Sequence, residues 1–186
     1  MSALTLFERD ILLWLHTHLR FAPVTPVMRL FSLLGDYGLF WIALTVVLIL
    51  VRRTRRVGIY CAASMLLTFL LVNGVIKPLF ARMRPYDLFQ EIQILVNAEH
   101  DFSFPSGHSA NSFSVAWILF RMAKKKYGVP ALILAVLVAF SRLDVGVHYP
   151  TDVLGGAAIA IALAELTLHL LPLAKKKVES RKQKAE

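Results

Sequence analysis

Three short segments of this chain hold residues able to grip a phosphate and cleave it. They are Lys77-Pro-Leu-Phe-Ala-Arg82-Met-Arg84-Pro85, then Pro105-Ser106-Gly107-His108, then Ser141-Arg142 followed by His148 and Asp152. Lysine and arginine neutralise phosphate oxygens, and an arginine fork can hold two of them at once. A neutral imidazole can attack phosphorus, while a second imidazole can protonate the oxygen that leaves. The three segments together supply this set of groups.

Lys77 and Arg84 are seven residues apart, close to two helical turns, so one helix could point both the same way. Arg82 falls elsewhere on that helix and is the weaker candidate. Ser103 is placed to cap the next helix and Pro105 to occupy its first turn. Free N–H groups of Ser106, Gly107 and His108 would then face an anion, with Gly107 allowing its close approach. Asp152 follows His148 by four residues across Tyr149-Pro150-Thr151, which reads as a turn into a helix. At that spacing it can accept the Nδ1 proton of His148 and leave Nε2 free. Taken singly, each segment has a plainer reading: cations snorkelling from a span end, a solvated helix start, a structural or metal-binding His/Asp pair. Asp144 is open between tuning His148, contacting Arg142 and simple solvation. The available ligands match no common compact metal motif, so neither metal nor cofactor is expected.

The elements that must position these residues are membrane helices. A chain of 186 residues that is 57% hydrophobic, with mean hydropathy +0.61, is too apolar for an ordinary soluble domain. The formal charge of +9 would fit a nucleic-acid binder, but much of the excess lies beside apolar runs, at Arg52–Arg56, Arg121–Lys126 and Lys175–Lys184. Such clusters orient helices and meet anionic lipid headgroups instead. The single cysteine, Cys61, lies in an apolar run and reads as a small packing residue. The first apolar stretch is broken by Glu8, Arg9 and Asp10, so no cleavable signal peptide is expected. Five segments read as spans: Tyr37–Val51, Val57–Phe80, Ser106–Ala123, Val129–Val147 and Asp152–Leu171. Leu4–Leu19 reads as an amphipathic helix at the interface, or as a sixth, imperfect span. The expected class is thus an all-α integral membrane protein, a bundle of five to six transmembrane helices behind an N-terminal amphipathic segment. Residues 1–36 form that amphipathic region, 37–171 the transmembrane core and 175–186 a basic cytoplasmic tail. The positive-inside rule puts the basic turns in the cytoplasm and all three motif segments on the other side, in the cell membrane.

The order Lys, six residues, Arg-Pro; then Pro-Ser-Gly-His; then Ser-Arg, five residues, His, three residues, Asp resembles the type 2 phosphatidic acid phosphatase superfamily. The resemblance runs from about Asn73 to Gly156 and makes residues 1–174 a single membrane domain of that type. It implies that Lys77, Arg84 and Arg142 bind phosphate with Ser106, Gly107 and Ser141. It implies further that His148 becomes a phosphohistidine, that Asp152 supports it and that His108 protonates the departing oxygen. Asp144 stands where such sequences more often carry an uncharged residue. The function implied is hydrolysis of a phosphorylated lipid in the bilayer, best matched to undecaprenyl diphosphate, with phosphatidylglycerophosphate and phosphatidate as alternatives. A protein that binds or flips lipid phosphates is the alternative of another class.

Overall fold

The computed structural model describes residues 2–183, with side chains placed as far as Leu173. The basic tail expected at 175–186 lies outside those described side chains. Regular structure among the described residues is helical throughout. Helix α1 (Ala3–Leu19) is capped by Ser2, whose hydroxyl accepts from the Thr5 N–H. Helix α2 (Val24–Gly35) leads through a tight turn, Asp36–Gly38, into α3 (Leu39–Leu50). The turn is made by left-handed backbone at Tyr37 (φ 53°) and Gly38 (φ 67°). From Val24 to Leu50 the chain is long and apolar enough to cross a membrane. The sequence expectation begins this span at Tyr37 and leaves it short enough to recruit residues upstream; the apolar helical run here extends back to Val24. The physical reason is α2 itself: it buries Met28, Ser32 and Gly35 and leaves Val27, Leu30 and Leu33 outward, a surface suited to lipid.

Helix α4 (Arg55–Leu71) continues through a π-helical stretch, Val72–Ile76, into the short α5 (Lys77–Phe80). The chain then breaks at Ala81, which takes left-handed backbone (φ 42°), and forms one turn, α6 (Pro85–Leu88). A segment without regular structure leads to α7 (Gly107–Met122), followed by α8 (Lys125–Asp144) and α9 (Pro150–Gln183). Segments within α2–α3, α4–α6, α8 and α9 are long and apolar enough to span. Helix α7, with 16 residues, is shorter and sits in the middle, packed by α4, α8 and α9. Its Val115, Ala116, Ile118 and Leu119 join Trp41, Cys61, Ala135 and Ala164 in the main core.

Small residues set how closely these helices approach, which matters in lipid, where there is little hydrophobic drive between helices. A Cβ at Gly156 of α9 would stand 2.6 Å from the Ser106 carbonyl oxygen. Glycine there lets α9 close directly onto the start of α7. The topology gathers the C-terminal ends of α4–α5 and α8 with the N-terminal ends of α7 and α9. Those ends are where the three motif segments fall. The turns at Arg52–Arg56 and Lys124–Lys126 join the opposite helix ends.

Candidate active site

Lys77 and Arg84 do converge, but not on one helix. The break at Ala81 swings Arg84 away from the α5 axis, and both cations then meet the same carboxylate, Asp101. Arg84 is fully buried: Nη2 lies 2.5 Å from Glu99 and from Asp101, and Nη1 donates to the Val147 carbonyl at 3.0 Å. Nη1 is also 3.4 Å from His148 Nε2. A guanidinium can only donate, so this neighbour favours Nε2 as the unprotonated nitrogen and Nδ1 as the one carrying hydrogen.

His148 Nδ1 faces Asp152 Oδ2 at 3.5 Å, at the outer edge of a hydrogen bond. Ser103 adjoins both groups, donating to Asp152 Oδ2 at 2.5 Å while its hydroxyl lies 3.4 Å from Nδ1. The expected cap role of Ser103 is therefore corrected. Ser106 is the residue that caps α7, accepting from the Ser109 N–H, and the helix begins at Gly107. The Ser106 N–H is not free either, since it donates to the Asp152 carbonyl at 2.9 Å. Burial pushes the His148 imidazole down to about 4, against the opposing pull of Asp152. The ring is accordingly neutral at neutral pH, the state in which Nε2 can attack.

Arg142 is also buried and bridges Ser32 of α2 to Glu99. Ser141 is not turned to the same place: its hydroxyl donates to the Val138 carbonyl one turn back, at 2.7 Å. Asp144 is buried, and neither carboxylate oxygen has a hydrogen-bond partner among the described residues; Arg20 takes its backbone carbonyl instead. His108 Nε2 lies 2.9 Å from Asp36 Oδ1.

These groups border a cavity of about 930 Å³, lined by Lys77, Gly107, His108 and Arg142 together with Glu99 and Asp101. Arg84 and His148 lie beneath the two carboxylates and are not part of the lining. Glu99 is within ion-pair distance of Arg84 and Arg142 and 4.0 Å from His148 Nε2. Burial alone would raise the Glu99 carboxyl, but Arg142, His148 and Arg84 hold it below the usual carboxylate range. Asp101 is held down in the same way by Lys77 and Arg84. One anionic group thus already sits between both arginines and the imidazole, which shows that the seat accepts an anion of that size.

Arg82, the weaker candidate by spacing, anchors a network of its own. It contacts Glu8 of α1 at 2.5 Å and Asp152 Oδ1 at 2.6 Å, and stacks over Tyr149. Glu8 also accepts from the Thr151 N–H at 2.9 Å and from its hydroxyl at 2.6 Å. The sequence reading missed Glu8, although Glu8, Leu12 and Leu15 are the buried residues of α1 and follow helical spacing. It missed Asp36 too, the one acid between Val24 and Leu50 and therefore costly in a span unless partnered. Removing the cation in Arg82→Ala leaves two buried carboxylates facing each other's field, a loss of about 3–5 kcal/mol by analogy with broken buried pairs. The check is the thermal midpoint of detergent-solubilised protein, which drops by several degrees; an unchanged midpoint contradicts the network.

The PAP2 superfamily model matches residues 56–176. The chain belongs to the PAP2 superfamily. An undecaprenyl-diphosphatase of Sulfolobus acidocaldarius is 30% identical over 82% of this chain and 74% of its own length. Undecaprenyl-diphosphatase BcrC of Bacillus subtilis is 36% identical over 52% of this chain, which spans about half (49%) of that protein. Among solved structures, the transmembrane PAP2-type phosphatidylglycerolphosphate phosphatase of Bacillus subtilis superposes with a TM-score of 0.73 at 30% identity, covering 91% of this chain and 87% of that one. Membership makes this a multi-pass membrane protein of a class that hydrolyses phosphate esters.

Proposed function

We propose that this PAP2 member removes the terminal phosphate of undecaprenyl diphosphate by two displacements through His148. The observation that carries the reading is the anion seat at His148, where Arg84 and Arg142 hold a carboxylate within 4.0 Å of Nε2. Substrate phosphate takes the place of Glu99 and Asp101 on Lys77, Arg84 and Arg142, with the Gly107 and His108 N–H groups at the start of α7 beside it. Nε2 bonds to phosphorus as the bond to the lipid phosphate breaks, and His108 gives that leaving oxygen its proton. Water then attacks the phosphohistidine, His108 accepts the water's proton, and inorganic phosphate leaves. Charge neutralisation and a covalent route are both needed because uncatalysed phosphate-ester hydrolysis is extremely slow. The mechanism uses no metal. Asp152 holds His148 in the attacking tautomer, while Ser106 and Ser141 act through the helix ends they brace.

Two relatives named undecaprenyl-diphosphatase support the choice of lipid. The basic turns at the remote helix ends support a site on the non-cytoplasmic side and a cytoplasmic C-terminus. Helix α1 lies along the interface, with exposed Phe7 and Trp14 toward lipid and Leu12 and Leu15 toward the protein. Phosphate release by purified protein in EDTA, from undecaprenyl diphosphate, phosphatidylglycerophosphate and phosphatidate, tests the reading. The highest kcat/KM falls on undecaprenyl diphosphate and is unaffected by the chelator. Preference for phosphatidylglycerophosphate would move the substrate toward the one named for the structural relative; release from none would remove the hydrolase reading.

A further inference from the structure

Asp36 lies outside all three motifs, in the turn between α2 and α3, yet the side chain it touches is His108. Its Oδ1 is 2.9 Å from Nε2, and among the described residues the Asp36 carboxylate has no other hydrogen bond or ion pair. The contact is built rather than incidental. Left-handed backbone at Tyr37 and Gly38 turns the chain directly after Asp36. Gly35 lies against the imidazole so closely that a Cβ there would be 2.5 Å from Cδ2. Both His108 and Asp36 line the cavity, and Nδ1 has no hydrogen-bond partner among the described residues.

We propose that Asp36 is the positioning residue for the proton donor: it fixes the ring and tautomer of His108 so that Nδ1 faces the leaving oxygen. The inference rests on the phosphatase reading above. A carboxylate only accepts, so Nε2 keeps its hydrogen, and the proton that is gained and lost in each cycle is the one on Nδ1. In the first displacement that proton passes to the leaving oxygen as the P–O bond breaks. In the second, water returns a proton to Nδ1 as its oxygen bonds to phosphorus. The carboxylate offsets the charge that His108 carries before the first displacement and regains in the second, as a third group does in other nucleophile–base arrays. The other charged groups near the ring are Arg142 from α8 and Glu99 from the segment before α7, with Lys77 close to Gly107.

The test compares kcat/KM for p-nitrophenyl phosphate and phenyl phosphate, substrates of similar size whose leaving groups differ in basicity. This ratio reports only the step that expels the leaving group. Asp36→Asn in the full-length protein loses roughly threefold or less on the first substrate and roughly 30-fold or more on the second, within the range of general-acid effects. Asp36→Glu recovers most of the second activity. Equal losses on both substrates, or no loss on either, would overturn the proposal, because a merely structural role does not depend on leaving-group basicity. A wild type that releases phosphate from neither these substrates nor the three lipids above, or a His148→Ala variant that still releases it, would instead bring down the phosphatase reading beneath it.

Discussion

His148→Ala will lose all measurable phosphate release, a fall of at least about 10⁴-fold, as expected when the nucleophile of a covalent mechanism is removed. His148 is wholly buried, and its Nε2 borders the seat that Glu99 now fills. His108, the other motif imidazole, is engaged with Asp36. The decisive measurement combines turnover with trapping of the covalent intermediate. His108→Ala, which keeps the proposed nucleophile but loses the proposed proton donor, will still acquire phosphate from a substrate with a good leaving group; His148→Ala will not. Labelling of the His148 variant, or near-normal turnover by it in purified protein, would end the proposed mechanism. Its neutral state matters as much as its position. Burial lowers the imidazole to about 4, so the free enzyme keeps an attacking lone pair throughout the neutral range and loses it only as pH falls through that value.

Replacing either buried arginine by lysine, Arg84→Lys or Arg142→Lys, will lower kcat/KM by about 10²- to 10³-fold while the charge is kept. The loss arises from geometry. Arg84 presents one fork to Glu99, Asp101, Val147 and His148, and Arg142 spans from Ser32 to Glu99. An ammonium cannot make these planar, divergent contacts from one position. Lys77→Arg tests the converse: its ammonium makes a single ion pair, with Asp101. A loss of less than about threefold for Arg84→Lys and Arg142→Lys alike would show that the site needs charge alone. Steady-state kinetics on the best lipid substrate decides between the outcomes, with vanadate or phosphate affinity reporting whether the anion seat survives.

Much of this was legible before any coordinates. The hydropathy of the chain is a local property, so the helical spans around α4, α8 and α9 could be read from composition alone, whereas α7, also read as a span, is only 16 residues long. The motif residues could be read as well, because phosphate chemistry admits few residue types and their spacing is carried within each segment. Reading failed where the backbone departs from a regular helix. Lys77 and Arg84 were placed on one face of a continuous helix, but Ala81 breaks it and the two meet only through Asp101. Ser103 was read as a cap and proves to be a neighbour of His148 and Asp152.

By itself the sequence determined the class of molecule, the chemical groups and their grouping into three segments, since each depends on residue type and short-range spacing. Tertiary structure decided which charges face which. Glu8 reaches Arg82, Asp36 reaches His108 and Ser32 reaches Arg142, joining residues 72 to 110 positions apart in the last two cases. Such pairs have no period along the chain. They exist because α1 and α2 pack over the end of α8, and because a buried ion must find a partner wherever packing brings one within reach.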